Sequence, residues 1–253
     1  MSTAISTSPT QREPALVGQT VVLLGGSAGI GLETGRLARA EGADVILVGR
    51  NSERLERAAR EVDAQSTAAF DATDVAALER FFEGLPKPVD HVLVTAGGPH
   101  YAPLAEMDFG AARRTVEEHL WLPLQLARIA ARGKMRPGGS LVFMSGTGGR
   151  RPAVGLTVGG TLTAGGPALT ANLALEIAPI RVNLIAAGFV DTPLSASLLG
   201  DQLEARRTEL RETLPIGRVV GPEDVAALAI HLMTNTALTG ATFDIDGGQQ
   251  LVS

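Results

Sequence analysis

A glycine-rich turn between an apolar strand and a helix is the feature that most constrains the fold of this chain. The apolar run Thr20–Leu24 predicts a buried strand. It leads into Gly25-Gly26-Ser27-Ala28-Gly29-Ile30-Gly31, after which residues 30–41 follow a helical pattern. Glycines permit such a tight turn, and they let backbone N–H groups and the helix N-terminus approach a pyrophosphate closely. A turn that only packs the helix on a sheet is the alternative, but the strand–turn–helix order favours a dinucleotide cradle.

Apolar runs alternate with helical patterns along the rest of the chain. A charged helix is predicted at 52–62. Further strands are predicted at 44–48, 68–70, 91–95, 141–144 and 181–186. Near-continuous apolar strands joined by helical crossovers indicate a parallel sheet covered on both faces. No linker, repeat or charge block interrupts the pattern. The sequence therefore predicts one α/β domain over residues 16–253, a doubly wound Rossmann fold with about seven strands and helices on both faces.

The composition excludes several classes of protein. The chain has 253 residues, of which 45% are hydrophobic but only 4% aromatic, so its core must be built mainly from Ala, Leu and Val. A net charge of −5 without a basic cluster argues against a nucleic-acid partner. The absence of cysteine excludes disulfides and thiolate metal sites, and it fits a cytoplasmic protein without a bound metal. No apolar run approaches the length that spans a membrane.

Two segments depart from the regular pattern. Residues 1–15 are rich in Ser and Thr and lack the basic start and apolar stretch of a signal peptide, so they predict a disordered tail. Residues 146–167 contain eight glycines and end in Pro167. Glycine costs a helix interior ~1 kcal/mol relative to alanine and proline ~3 kcal/mol. This segment therefore predicts a mobile loop, followed by a kinked or late-starting helix over 168–178.

Several further segments share their order with a known enzyme family. They are Phe70-Asp71-Ala72-Thr73-Asp74, Thr95-Ala96-Gly97-Gly98, Arg181-Val182-Asn183, Ala187-Gly188-Phe189-Val190-Asp191-Thr192, and the C-terminal segments within 217–248. Together with the spacing of Gly25, Gly29 and Gly31, they resemble the short-chain dehydrogenase/reductase family over about residues 17–252. The resemblance implies a nicotinamide dinucleotide cofactor, hydride transfer to or from a small-molecule substrate, and a homodimer or homotetramer. Relatives associate through two long central helices, which here include 109–132 and 168–178.

The same resemblance implies which residues bind the cofactor. Asp71 matches the aspartate that contacts the adenine, and Val190 and Thr192 match the residues that hold the nicotinamide carboxamide. The full set of implied cofactor-binding residues is Gly25, Ser27, Gly29, Ile30, Gly31, Arg50, Asp71, Ala72, Ala96, Gly97, Val190 and Thr192. The chain departs from the family pattern at Thr95-Ala96, which replaces two asparagines, and at Ala187, which replaces a proline.

The residue after the second predicted strand bears on the choice of cofactor. An acidic residue there would bind the ribose of NAD, whereas a basic residue can bind the 2′-phosphate of NADP. This chain has Arg50 at that point, which favours NADP(H) over NAD(H). Two observations keep NAD(H) open. Arg50 could simply cap the strand edge, and Ala28 stands where many NADP enzymes carry a second basic residue.

The four catalytic positions of the family are all altered in this chain. In the family a tyrosine exchanges the proton, a lysine lowers its pKa, a serine positions the substrate oxygen, and an asparagine lies on the preceding helix. The corresponding residues here are Gly159, Thr163, Gly146 and His119. Glycine has no proton to give, and a threonine hydroxyl is a poor acid at neutral pH. No Tyr or Lys occurs anywhere from 136 to 253 that could restore the pair.

Four residues are candidates to replace the missing groups. His119 could act as acid or base, or it could be a helix residue bonded to a carbonyl or placed at a subunit interface. His100 and Tyr101 follow the fourth predicted strand at the edge where ligands bind in such folds, although an ordinary loop contact would explain them as well. Ser145 could hold a substrate oxygen, or it could be solvated in the glycine-rich loop.

These observations leave three functional hypotheses open. The first is an oxidoreductase with a non-standard active site that transfers hydride to or from a carbonyl, an imine or an alkene. The second is a catalytically silent relative that binds the dinucleotide as a sensor or structural subunit. The third is a non-redox enzyme that uses the same crevice. The fold alone does not choose between them.

Overall fold

A computed structural model describes residues 13–252, and within them seven parallel strands form one sheet. The strands are β1 Thr20–Leu24, β2 Asp44–Gly49, β3 Ser66–Ala69, β4 Val89–Val94, β5 Met135–Gly146, β6 Arg181–Ala187 and β7 Thr242–Ile245. Their order in the sheet is β3-β2-β1-β4-β5-β6-β7, which confirms the predicted fold class. The order reverses between β1 and β4, and ligands of such sheets bind in the crevice outside the carboxyl ends of the strands at that point.

Helices connect the strands and cover both faces of the sheet. They are α1 Gly29–Ala40, α2 Ser52–Val62, α3 Val75–Gly84, α4 Phe109–Val116, α5 Leu122–Ile129, α6 Thr157–Glu176, α7 Pro193–Leu199, α8 Leu203–Thr213 and α9 Pro222–Thr234. One π-helical turn, Glu117–Trp121, joins α4 to α5, and a second, Ala130–Lys134, follows α5. None of the described helices is long and apolar enough to cross a membrane.

Alternate residues of each strand enter two separate cores. From β1, Val22 and Leu24 pack with residues of α3, α5 and α6 on one face of the sheet. Val21 and Leu23 of the same strand pack with α1, α2 and α9 on the other face. The period of two places successive side chains on opposite faces, so a fully apolar strand is buried on both sides.

The prediction for the glycine-rich segment was wrong, because α6 begins at Thr157 and continues through Pro167 to Glu176. Tertiary packing overrides the low helix propensity here. A methyl group on Gly149 would lie 2.5 Å from the backbone nitrogen of Ala164, so the turn before α6 packs directly on the helix backbone. Most of the stability of a helix in a protein comes from such packing rather than from propensity.

Two smaller predictions concern the fifth strand and the N-terminal tail. The strand predicted at 141–144 is longer, since β5 begins at Met135, and Gly138 adopts a left-handed φ of 81° where the pairing with β4 shifts. The disordered tail predicted at 1–15 lies mostly outside the described residues. At its end, the backbone nitrogen of Ala15 donates to the carboxylate of Glu41, at 2.8 Å.

A buried histidine at the amino-terminal side of the sheet makes stability depend on pH. His91 is 3% exposed. Its Nε2–H donates to the Gln19 side-chain carbonyl at 2.6 Å, while Nδ1 accepts from the Ser140 hydroxyl at 2.9 Å. This pairing suits the neutral ring. Burial, together with the charge of Arg181, lowers the pKa of His91 from 6.5 to about 4.

We expect the free energy of unfolding to fall as the pH decreases from 6.5 towards 4. In that window the unfolded chain binds a proton at His91 and the folded chain does not, so the loss approaches roughly 3 kcal/mol. Urea unfolding at several pH values measures it. His91→Gln should flatten this pH dependence, whereas His231→Gln, at an exposed site on α9, should leave it in place. An unchanged slope in His91→Gln would contradict the assignment.

Candidate functional site

The predicted cofactor-binding residues lie along one edge of the sheet, each just beyond the carboxyl end of a strand. Gly25, Ser27, Gly29, Ile30 and Gly31 follow β1, Arg50 follows β2, Asp71 and Ala72 follow β3, Ala96 and Gly97 follow β4, and Val190 and Thr192 follow β6. Parallel strands bring these loops together at one edge. The residues that the resemblance implied therefore all lie at the carboxyl edge of the sheet.

The turn after β1 has the geometry of a phosphate cradle. Gly25 and Gly29 adopt φ angles of 99° and 54°, which disfavour any other residue. A methyl group on Gly31 would lie 2.4 Å from the carbonyl oxygen of Gly25. The hydroxyl of Thr95 donates to the carbonyls of Leu24 and Gly25, at 3.2 Å each. The turn is thus fixed with the free N–H groups of the first turn of α1 at its end, which suits a pyrophosphate.

The segment after β6 closes over this cradle. A methyl group on Gly29 would lie 3.4 Å from Cβ of Thr192. The Thr192 hydroxyl caps α7 by accepting the backbone N–H of Ser195 at 3.3 Å, and the Ser195 hydroxyl donates to the carbonyl of Val190 at 2.6 Å. Arg207 of α8 binds both carboxylate oxygens of Asp191, at 2.9 and 2.6 Å. These contacts hold α7 and α8 at the rim of the crevice.

Two charged side chains, an ion-paired carboxylate and an exposed guanidinium, lie just beyond the carboxyl ends of β3 and β2. Partial burial alone would raise the pKa of Asp71, but hydrogen bonds from Arg114 and Thr73 outweigh it and lower the pKa to about 2. Arg50 is exposed and makes no hydrogen bond or ion pair with any described residue. The Ser27 hydroxyl lies 3.6 Å from the position of a methyl group on Gly49, at the end of β2. Ser27 and Arg50 therefore both lie at the carboxyl end of β2.

A chain of charged groups that the sequence reasoning missed joins Asp71, after β3, to the loop after β4. Arg114 bonds Asp71 through Nη2 at 2.6 Å and contacts Glu118 through Nε at 3.2 Å. Glu118 in turn accepts the backbone N–H of Gly98, at 3.0 Å. Gly97 has a φ of 106°, and a methyl group there would lie 2.8 Å from the Glu118 carboxylate. The i,i+4 spacing of Arg114 and Glu118 was the signal available in the sequence.

Three positions that carry catalytic groups in the resembled family have no ionisable side chain in this chain, namely Gly146, Gly159 and Thr163. A methyl group on Gly146, at the end of β5, would lie 3.5 Å from Cγ2 of Thr163 on α6. Thr163 stands one helical turn after Gly159. A methyl group on Gly159 would lie 3.6 Å from Cε1 of Tyr101. The loop after β4 therefore brings the only tyrosine of the chain against the first turn of α6.

His119 and Ser145 lie close together. They line a cavity of about 50 Å³ with Glu118 and Thr170, among other residues. The Nδ1 atom of His119 bonds the carbonyl of Thr115 at 3.0 Å, which is the helix contact that the sequence left open as an alternative. The Thr170 hydroxyl is buried without a partner among the described residues. A cavity of this size suits one or a few waters rather than an organic substrate.

His100 and Tyr101 lie in the loop after β4. The Nε2 atom of His100 is buried without a hydrogen-bond partner among the described residues. Tyr101 is 58% exposed, and the burial of the rest of its ring raises the pKa of the phenol. No hydrogen bond joins these two residues to His119 or Ser145 within the described part of the chain. The four candidates thus form two separate pairs.

Comparison with known proteins identifies the family to which this chain belongs. Residues 25–250 match the family model described as enoyl-(acyl carrier protein) reductase. Short-chain dehydrogenase/reductase ATR9 of Stachybotrys chlorohalonatus is 31% identical over 252 residues, which cover 93% of this chain and 98% of the relative. The chain therefore belongs to the short-chain dehydrogenase/reductase family of oxidoreductases, as its motifs implied.

Two solved structures are similar over almost the whole chain. MalC reductase/Diels-Alderase from Malbranchea aurantiaca superposes with a TM-score of 0.85 at 26% identity, covering 94% of this chain and 99% of that one. BdcA in complex with NADPH superposes with a TM-score of 0.82 at 27% identity, covering 92% of this chain and 95% of that one.

Proposed function

We propose that this protein is an NADP(H)-dependent reductase of a small iminium ion, imine or conjugated alkene. The observation that carries the proposal is the space between β5 and α6, where Gly146, Gly159 and Thr163 present no ionisable group to a substrate. Reduced nicotinamide supplies a hydride, that is, two electrons and one proton. An acceptor that is already cationic or conjugated makes smaller demands on an enzyme acid than a simple ketone does.

The residues around the crevice have separate roles in this proposal. The N–H groups at the start of α1 hold the pyrophosphate, and Arg50 with Ser27 binds the 2′-phosphate. The backbone of Val190 and the hydroxyl of Thr192 orient the nicotinamide carboxamide. The loop after β4 and the helices α7 and α8 enclose the acceptor. The NADPH complex of BdcA, a structural relative, supports the choice of cofactor.

The proposal is tested by cofactor titration followed by an acceptor panel at the nicotinamide absorbance. The panel contains 2-methyl-1-pyrroline as cyclic imine, 2-cyclohexen-1-one as enone and cyclohexanone as simple ketone. We expect NADPH to bind and the first two compounds to be reduced faster than the ketone. A preference for the ketone would contradict the acceptor class. Binding of NADPH without turnover of any acceptor would instead support a silent dinucleotide-binding relative.

Arg50 gives a separate test of the cofactor. Arg50→Gln should raise the dissociation constant of NADPH about 10- to 100-fold, because a charge-assisted hydrogen bond to phosphate contributes roughly 1.5–3 kcal/mol. The dissociation constant of NADH should change little. Arg60→Gln in the last turn of α2 is the control and should affect neither cofactor. Equal losses of affinity for NADPH and NADH would show that Arg50 does not bind the 2′-phosphate.

A second candidate function is a non-redox reaction in the same crevice. A structural relative is described as both a reductase and a Diels-Alderase. A cycloaddition requires a shaped apolar pocket and no proton transfer, which is compatible with the lack of ionisable groups at Gly146, Gly159 and Thr163. Conversion of a tethered diene–dienophile in the absence of NADPH would favour this reaction over reduction.

A further inference from the structure

The only tyrosine of the chain approaches α6 from the opposite wall of the crevice. The edge of the Tyr101 ring lies 3.6 Å from the position of a methyl group on Gly159, an ordinary van der Waals distance. A side chain larger than a methyl group at residue 159 would have to displace this ring. The absence of a side chain at Gly159 and the presence of the Tyr101 ring are therefore two parts of one packing arrangement.

The loop that carries Tyr101 is held at several points. The backbone N–H of Ala102 donates to the carbonyl of Gly155 at 3.3 Å, which ties the loop to the segment before α6. At the start of the loop, the backbone N–H of Gly98 donates to the Glu118 carboxylate. A methyl group on Gly98 would lie 3.6 Å from the Leu194 side chain of α7. The ring is thus placed between α6 and the rim of the crevice, at the ends of the adjacent strands β4 and β5.

We propose that Tyr101 supplies, from the loop after β4, the hydroxyl that donates to the reacting acceptor at the space vacated beside Gly159. This inference rests on the proposed reductase function. Tyr101 is 58% exposed, so an acceptor can reach this residue.

The proton balance follows from the position of the phenol. Tyr101 gives its proton to the nitrogen, or to the enone oxygen, as the acceptor carbon gains the hydride from reduced nicotinamide. Solvent water then reprotonates the phenolate. For an iminium ion that needs no proton, the same hydroxyl only orients the substrate. The phenol is protonated at neutral pH, as a proton donor in the direction of reduction must be.

Removal of the hydroxyl is the first test. Tyr101→Phe keeps the ring against Gly159 and removes only the donor. With NADPH and 2-cyclohexen-1-one, kcat/KM should fall about 100-fold or more, the usual contribution of a general acid, while the dissociation constant of NADPH stays the same. Arg60→Gln, at an exposed position in the last turn of α2, is the control and should lose less than about twofold. A Tyr101→Phe enzyme that keeps its activity within twofold would overturn the proposal.

The second test needs no substrate, because phenolate absorbance near 295 nm reports on Tyr101 alone. The oxidised nicotinamide ring is cationic and the reduced ring is neutral. A phenol beside that ring should therefore have a lower pKa in the NADP⁺ complex than in the NADPH complex. The His100→Gln variant should keep this difference, which excludes the neighbouring imidazole as its source.

The titration separates this inference from the function on which it rests. If the NADP⁺ and NADPH complexes have the same Tyr101 pKa, the ring does not face the nicotinamide and the proposal fails, whatever the turnover. If the pKa values differ but no acceptor is reduced, the position of Tyr101 is supported while the reductase function is rejected.

Discussion

Gly31→Ala is expected to abolish dinucleotide binding and to destabilise the fold. The added methyl group would lie 2.4 Å from the carbonyl oxygen of Gly25 and 2.8 Å from the Thr95 hydroxyl. Neither atom belongs to the free end of a flexible side chain, so the turn must shift by about 1 Å, and overpacking of this kind costs roughly 1–3 kcal/mol. The shifted turn no longer presents its N–H groups to a pyrophosphate. We expect NADPH affinity to fall more than about 100-fold, a loss of roughly 2.7 kcal/mol.

Calorimetric titration with NADPH and thermal unfolding measure both effects. Gly165→Ala is the matched control, because nothing lies within 4 Å of the new methyl group on α6. Alanine should stabilise that helix by roughly 0.5–1 kcal/mol and leave NADPH affinity unchanged. A Gly31→Ala protein that binds NADPH as tightly as the original chain would show that the turn after β1 does not hold the cofactor.

Arg181→Met is expected to be the most destabilising single change in the described core. Arg181 is 6% exposed and lies at the start of β6. Its guanidinium donates to a set of backbone carbonyls at the end of α9 and nearby, namely those of Gly138, Leu232, Met233, Asn235 and Leu238. Burial lowers the pKa of this group, and the carbonyl ends of α9 offset the cost of burying its charge.

Methionine keeps the apolar stem of the side chain but leaves these carbonyls without a donor. The free energy of unfolding should fall by about 3–5 kcal/mol, a large fraction of the stability of a typical domain. Denaturant unfolding measures it. Arg218→Met is the control, because Arg218 is an exposed partner of Asp224 and should cost at most about 1 kcal/mol. Similar losses in both variants would refute the special role of Arg181.

The proposed active site differs from the family pattern in where its polar groups originate. In the pattern, the tyrosine and lysine belong to the helix that corresponds to α6. Here α6 contributes Gly159 and Thr163, while the polar side chains near the crevice belong to the loop after β4 and to the turn between α4 and α5. Such a site would use the same cofactor geometry with a different wall for the substrate. The two tests on Tyr101 decide whether this loop tyrosine has the role that the helix tyrosine has in the family pattern.

Elements that local interactions decide lie where the sequence predicts them, whereas α6 depends on contacts between distant parts of the chain. The strand Thr20–Leu24 and the helix Ser52–Val62 have the predicted bounds, because local apolar periodicity and caps decide them. The glycine turn between β1 and α1 was likewise a local signal. The start of α6 was wrong by about eleven residues, because its glycines pack against other segments of the chain and propensity alone does not include those contacts.

The sequence by itself determined the parallel sheet, the cradle after β1 and the loss of ionisable groups at Gly146, Gly159 and Thr163, since each follows from residue identity and local order. Only the tertiary structure decided which groups meet. It placed Tyr101 against Gly159, linked Asp71 to Gly98 through Arg114 and Glu118, and kept α6 helical. These contacts join residues distant in the chain, and their distances depend on how the helices pack on the sheet rather than on any local pattern.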